Sequence, residues 1–116
     1  MAGMLAAATG TACAADRPDD RELATPALIG MFGPQRARAF GAWYRQMVPG
    51  ESDAQSLRAA LAKEEHRGIR LPWTKHMPLG LRVVDDFAAG RTVLVDGWVL
   101  SRTEARQCAL LAALSA

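Results

Sequence analysis

Two cysteines, two histidines and one tyrosine are all that 116 residues hold of those types, and aromatic residues make up only 6% of the chain. That scarcity excludes whole classes of chemistry. There is no Cys-x-x-Cys redox pair and no pair of histidines at metal-ligand spacing. No glycine-rich phosphate loop occurs, because the glycines fall at breaks between apolar runs, and no serine sits in a nucleophile elbow. Charge of one sign is also lacking. Fourteen basic residues stand against 12 acidic ones for a net charge of +2, interspersed and without a basic aromatic strand, so no nucleic-acid partner is expected. All the basic residues except Lys63 and Lys75 are arginine, which, with the abundant alanine, reads as a GC-rich coding bias and not as a binding surface. No apolar run reaches the length needed to span a bilayer.

What is present is an ordinary globular composition, 50% apolar and 22% charged, enough for one small domain over residues 16–116. Residues 1–15 carry no charged side chain and end in Ala12-Cys13-Ala14, just before a charged stretch that begins at Asp16. This has the form of the end of a secretory leader with its small-residue cleavage site, although the positively charged start is missing. A signal-peptide remnant is expected here, with a flexible tail or a lipidated Cys13 as alternatives. If the leader is genuine the protein is periplasmic or secreted; otherwise it is cytoplasmic.

The plainest structural signal lies at 91–116. Asp96-Gly97 separates two β-prone runs, 92–95 and 98–100, and suits a two-residue turn that needs positive φ at both positions. Closing there sets Val95 against Trp98 and Val93 against Leu100, with Leu94 and Val99 on the other face. Ser101 and Glu104 then form a capping box for a helix over 102–114.

Earlier segments read as helices that lean on this unit. Thr25-Pro26 predicts a helix start, Gly33-Pro34 a stop, and a second helix follows over 35–47, with Phe40, Trp43, Tyr44 and Met47 as its core stripe. Ser52 and Gln55 predict a third capped helix reaching to residue 67. Leu79, Val83, Val84 and Phe87 give a fourth over 79–89, ended by Gly90. The fold class predicted is therefore mainly α (α+β): four to five short helices, then a C-terminal β-hairpin followed by a capped helix.

Few residues invite a chemical reading. Glu64, Glu65 and His66 are adjacent and point about 100° apart on a helix, so they do not converge on one ion. Asp85 and Asp86 diverge in the same way, which removes a two-carboxylate acid/base site. Cys108 sits one turn from Glu104, Leu111 and Ala112, a setting for a buried thiol. No catalytic residue, metal or cofactor is assigned. The connector 69–78, broken by Pro72 and Pro78, carries Trp73, His76 and Met77. Together with Trp98 and Arg102, Trp73 and His76 are the candidate partner contacts, because tryptophan and arginine are enriched at interfaces. Two alternatives stay open. One is copper handling by His76, Met77 and Cys108, and the other is a small enzyme that uses His66 or His76.

Gly33-Pro34 before an arginine-rich helix, Ala42-Trp43-Tyr44 followed by Val48-Pro49-Gly50-Glu51, and the run from Asp85-Asp86-Phe87 to Thr103-Glu104-Ala105-Arg106 together resemble small exported bacterial proteins with twin-arginine-type leaders. That resemblance covers about two thirds of the chain, and the leader's arginine pair is absent. It implies an accessory or small subunit, or an export helper, of a periplasmic oxidoreductase, with a larger oxidoreductase subunit as partner. It supplies no catalytic residue.

Overall fold

Asp19, the first of the described residues, accepts the Glu22 amide with its side chain and so caps a four-residue helix. The structure is a computed structural model that describes residues 19–63 and 78–115. Among the described residues the order is α1 Asp20–Leu23, α2 Ile29–Met47, a short 3-10 turn Pro49–Glu51, α3 Ala54–Ala62, α4 Leu79–Ala89, β1 Thr92–Val95, β2 Trp98–Ser101 and α5 Arg102–Ser115. This is the mainly helical architecture with a closing hairpin and helix that the sequence predicts.

The hairpin has the expected register. Thr92 pairs with Ser101, Val93 with Leu100, Leu94 with Val99 and Val95 with Trp98. Asp96 and Gly97 both take positive φ, 49° and 82°, as a primed turn requires. Val95 and Leu100 are buried on the inner face, while Leu94 and Val99 face outward. The ladder runs one step further, with the Arg102 amide donating to the Arg91 carbonyl at 3.0 Å, so strand passes into α5 without a loop.

Gly33-Pro34 breaks α2 as predicted. Gly33 stands at φ 82° and ψ 165°, a conformation open to glycine, and splits the helix into a short first turn and a long second part. Thr25 does not cap this helix. Its hydroxyl bonds back to the Arg21 carbonyl and closes α1, while the first turn of α2 is formed by 3-10-type bonds such as Ile29 N–H to Pro26 O at 3.1 Å. At α3 the cap is Asp53, one residue after the predicted Ser52. The Asp53 carboxylate accepts the Ser56 amide at 3.0 Å, and the Ser52 hydroxyl is turned to the Pro49 carbonyl. The predicted continuation of this helix to residue 67 falls outside the described residues.

Helix α5 is the centre of the molecule. It touches α2, α3, α4 and both strands, and between Thr103 and Leu110 every residue but Glu104 is buried. Its second half is alanine and leucine as far as residue 114, while its first half buries Thr103, Arg106 and Gln107 among polar partners from the surrounding elements. Its tightest contact is with α2. A Cβ built on Gly41 would lie 2.0 Å from the Cys108 carbonyl oxygen and 2.8 Å from the Ala109 nitrogen, so the two backbones run in direct contact. Ala37, Ala105 and Ala109, all buried, line the same seam with small side chains.

That seam corrects the predicted stripe of α2. Phe40 and Tyr44 are buried with Ala37 and Gly41, whereas Trp43 and Met47 are half exposed. The small residues let α5 approach one strip of the helix closely, and Trp43 and Met47 lie outside that strip. Large apolar side chains at helical spacing marked the right helix and the wrong edge of its buried face.

Candidate functional site

Three polar clusters and one apolar surface are the features a function would draw on. The first cluster joins α2, the 3-10 turn and α5. Arg106 donates from Nε to Glu51 Oε1 at 2.7 Å and from its terminal nitrogen to Oε2 at 3.1 Å, and the Tyr44 hydroxyl donates to the same Oε1 at 2.7 Å. The Arg106 hydrogen bonds hold the Glu51 carboxyl below its usual range. Burial, then the Glu51 hydrogen bond, push the Tyr44 hydroxyl up to about 12. Burial works against the charge on Arg106, but the bonds to Glu51 outweigh it and its pKa rises. The arrangement is a forked arginine-carboxylate pair braced by a phenol, which fixes the 3-10 turn onto the central helix.

The second cluster is built on α4 and overturns half of the stripe predicted for that helix. Leu79, Val83, Val84 and Phe87 are expected to face the core. Leu79 packs against the core and Val83 is partly buried, but Val84 is 64% exposed and Phe87 49%, whereas Asp86 is 1% exposed and Arg82 is buried. The reason lies in what the two charges meet. Arg82 donates to the Leu61 carbonyl in the last turn of α3, where the helix dipole is negative, and Asp86 Oδ2 accepts the Thr103 amide at 2.8 Å in the first turn of α5, where it is positive. One helix thus places a cation on the end of one neighbour and an anion on the start of another. Arg91 bonds both carboxylates, reaching Asp86 Oδ1 at 3.0 Å and Asp85 with its terminal nitrogen. The two adjacent aspartates, expected to diverge, are both drawn onto the Arg91 guanidinium.

The third cluster is Glu104 with Cys108. Glu104 does not reach back to the Ser101 amide. Ser101 Oγ accepts the Glu104 amide at 2.9 Å, so half of the box forms, while the Glu104 carboxylate takes its hydrogen bond from the Leu28 backbone and ties α2 to α5. Burial raises the Glu104 pKa. Burial, and then the Glu104 charge one turn away, push the Cys108 thiol up to about 12. A fully buried, neutral thiol is a poor nucleophile and a poor soft-metal ligand.

Of the four candidate contact residues, Trp73 and His76 lie outside the described residues, as do His66, Met77 and the charge-free run 1–15. Trp98 stands at the hairpin turn, 44% exposed, with its ring edge-on to Phe32 at a centroid distance of 4.9 Å. Phe32 in turn meets Phe40 edge-on at 5.6 Å, so Trp98 is anchored through two rings to the core. Arg102 is half-buried at the start of α5, and its charge contributes to the low pKa of Glu51. The structure does not bring Trp98 and Arg102 onto one site, since they sit at opposite ends of β2.

Among the described residues no group of three or more histidine, cysteine, aspartate or glutamate side chains gathers to hold a metal ion, and no helix is long and apolar enough to cross a membrane. The Tyr44–Glu51–Arg106 cluster and the Arg82–Leu61 and Asp86–Thr103 contacts have no motif in the sequence, because bonded partners lie up to 55 residues apart. A sequence signal exists only for Arg82 and Asp86, which are four apart on one helical face. Set against models of protein families, curated proteins and solved structures, this chain matches none of them.

Proposed function

We propose that this chain is a non-catalytic accessory or small subunit, or an export helper, of an exported bacterial oxidoreductase, and that it works by contact with a larger subunit. The observation that carries the contact role is Trp98, a tryptophan held rigidly against Phe32 with nearly half its surface in solvent. A pre-fixed aromatic side chain loses little freedom on binding, which is why tryptophan and arginine dominate interface energetics. The placement of Arg82, Asp86, Glu51 and Arg106 supports the same reading, since these charges join elements of the fold to one another. The oxidoreductase class rests on the resemblance of the Gly33-Pro34, Trp43-Tyr44 and 85–106 stretches to small exported proteins, and the periplasmic location on the charge-free leader-like run at 1–15.

Native purification of the tagged full chain from its host tests this reading. A stoichiometric oxidoreductase subunit is expected to copurify, and Trp98→Ala is expected to weaken that association at least ~10-fold, as loss of an interface tryptophan does. A chain that purifies with no enzyme subunit under the same conditions overturns it.

A further inference from the structure

The outward side of α4 is unlike any other exposed helix face in the described chain. Its exposed residues are Gly80, Leu81, Val84, Phe87, Ala88 and Ala89, with no charge and no hydrogen-bonding side chain among them. By contrast α2 exposes Gln35, Arg36, Arg38 and Gln46. The charges of α4 are engaged elsewhere, Arg82 on the α3 terminus and Asp86 on α5. On the adjoining hairpin, whose second strand packs against α4, Leu94 and Val99 form a cross-strand pair and both are more than half exposed.

We propose that this surface, the α4 face with Leu94 and Val99, is a two-fold interface between two copies of this chain. Three observations point to a second copy. The first is symmetry within the stripe. Leu81 and Phe87 each lie three residues, ~4.5 Å of helix rise, from Val84. A two-fold axis at Val84 between antiparallel α4 helices therefore sets Leu81 of each copy against Phe87 of the other, so one patch complements itself as an isologous interface must.

The second is charge. A two-fold contact brings like groups together, and a charged face would repel its own copy; this face carries none. The third is area. Together Leu81, Val84, Phe87, Leu94 and Val99 leave on the order of 500 Å² of apolar surface in water. With the flanking Gly80, Ala88 and Ala89 letting the helices close together, the surface approaches the roughly 800 Å² per partner of a stable interface. The proposal does not depend on the oxidoreductase reading, which places its contact at Trp98.

Sedimentation equilibrium of the full chain tests it. The wild type is expected at twice its 12.4 kDa mass. Val84→Glu sets two carboxylates face to face at the axis and is expected to weaken the dimer at least ~100-fold, because like charges across an interface cost several kcal/mol. Trp43→Glu, on the exposed edge of α2, leaves association unchanged. As a second measurement that does not rest on a charged variant, Val84→Cys in a Cys13→Ala background is expected to form a covalent dimer on mild oxidation, and Ala39→Cys is not. A wild type that stays monomeric at every concentration reached, or a Val84→Glu chain that dimerises as the wild type does, overturns the proposal and gives the face to some other partner. Failure of the oxidoreductase subunit to copurify while the dimer persists removes only the reading at Trp98.

Discussion

Helices α2 and α4 lean on the same central helix by different means. Helix α2 meets α5 through Ala37 and Gly41, with backbones in contact and Phe40 and Tyr44 buried beside the seam. Helix α4 meets it through the Asp86 carboxylate on the Thr103 amide, and meets α3 through the Arg82 guanidinium on the Leu61 carbonyl. The first contact gains from dispersion and exclusion of water, and tolerates no added atom. The second gains from charge placed on helix ends, which frees Leu81, Val84 and Phe87 to face outward. Burial and hydrophobicity are therefore separable on one small domain, provided each buried charge has a bonded partner.

The largest expected effect breaks the first contact. Gly41→Ala places a methyl group where the Cys108 carbonyl stands, so the helices must separate, and stability measured by urea unfolding should fall by about 3 kcal/mol or more. A loss under ~1 kcal/mol would mean that the seam is loose. Next comes the clamp that holds the 3-10 turn to α5. Glu51→Gln leaves Arg106 largely buried without its counter-charge and should cost about 3 kcal/mol, while the double change Glu51→Gln with Arg106→Met should recover part of that loss. A double variant as unstable as the sum of the singles would remove the pair as a unit.

For the second contact, Asp86→Ala takes away the acceptor at the start of α5 and one partner of Arg91, with about 2 kcal/mol expected by the same unfolding assay. If that figure exceeded the Gly41→Ala loss, the order of the two contacts would be reversed.

Alkaline pH sharpens the contrast, because the thiol at the seam is kept neutral by the fold. Folding raises Cys108 from about 9 to about 12, so the stability it contributes is fully present below pH 9 and is lost as pH rises toward 12. Tyr44, raised from 10 to about 12, adds a similar loss that starts one unit higher. Thermal melts of the wild type should fall across that window, and Cys108→Ala should flatten its first part; an unchanged pH profile in the variant would discount the buried thiol. The smallest effect belongs to the edge of α2. Trp43→Ala should cost about 1 kcal/mol or less, against about 3–5 kcal/mol for Phe40→Ala three residues away.

How far the sequence speaks depends on how local the cause is. The hairpin register follows from Asp96-Gly97 and two β-prone runs, the break in α2 from Gly33-Pro34, and the end of α4 from Gly90, which adopts φ 74°. Each of these is settled within a few residues. The cap of α3 was displaced by one position, Asp53 for Ser52, because the Ser52 hydroxyl is taken by the Pro49 carbonyl while the Asp53 carboxylate accepts the Ser56 amide. The inward faces of α2 and α4 were misplaced because they depend on residues far along the chain. Nothing near Trp43 announces that Gly41 will meet Cys108, and nothing near Asp86 announces that the start of α5 lacks an acceptor there. The candidate contacts fared likewise: Trp98 was legible as a tryptophan beside a turn, but its anchoring by Phe32 was not.

The central position of α5 has a consequence for the order in which the molecule assembles. Ala37 and Gly41 find their counterparts some 65 residues downstream, as ~1.5 Å per helical residue would never bring them near by local winding alone. Contacts that distant in sequence close slowly, since a long loop must be ordered before they are rewarded. A nascent chain that has made 19–63 but not 102–115 lacks the helix against which Phe40, Tyr44, Leu57 and Leu61 are buried in the folded molecule, so the core closes only when the last helix arrives.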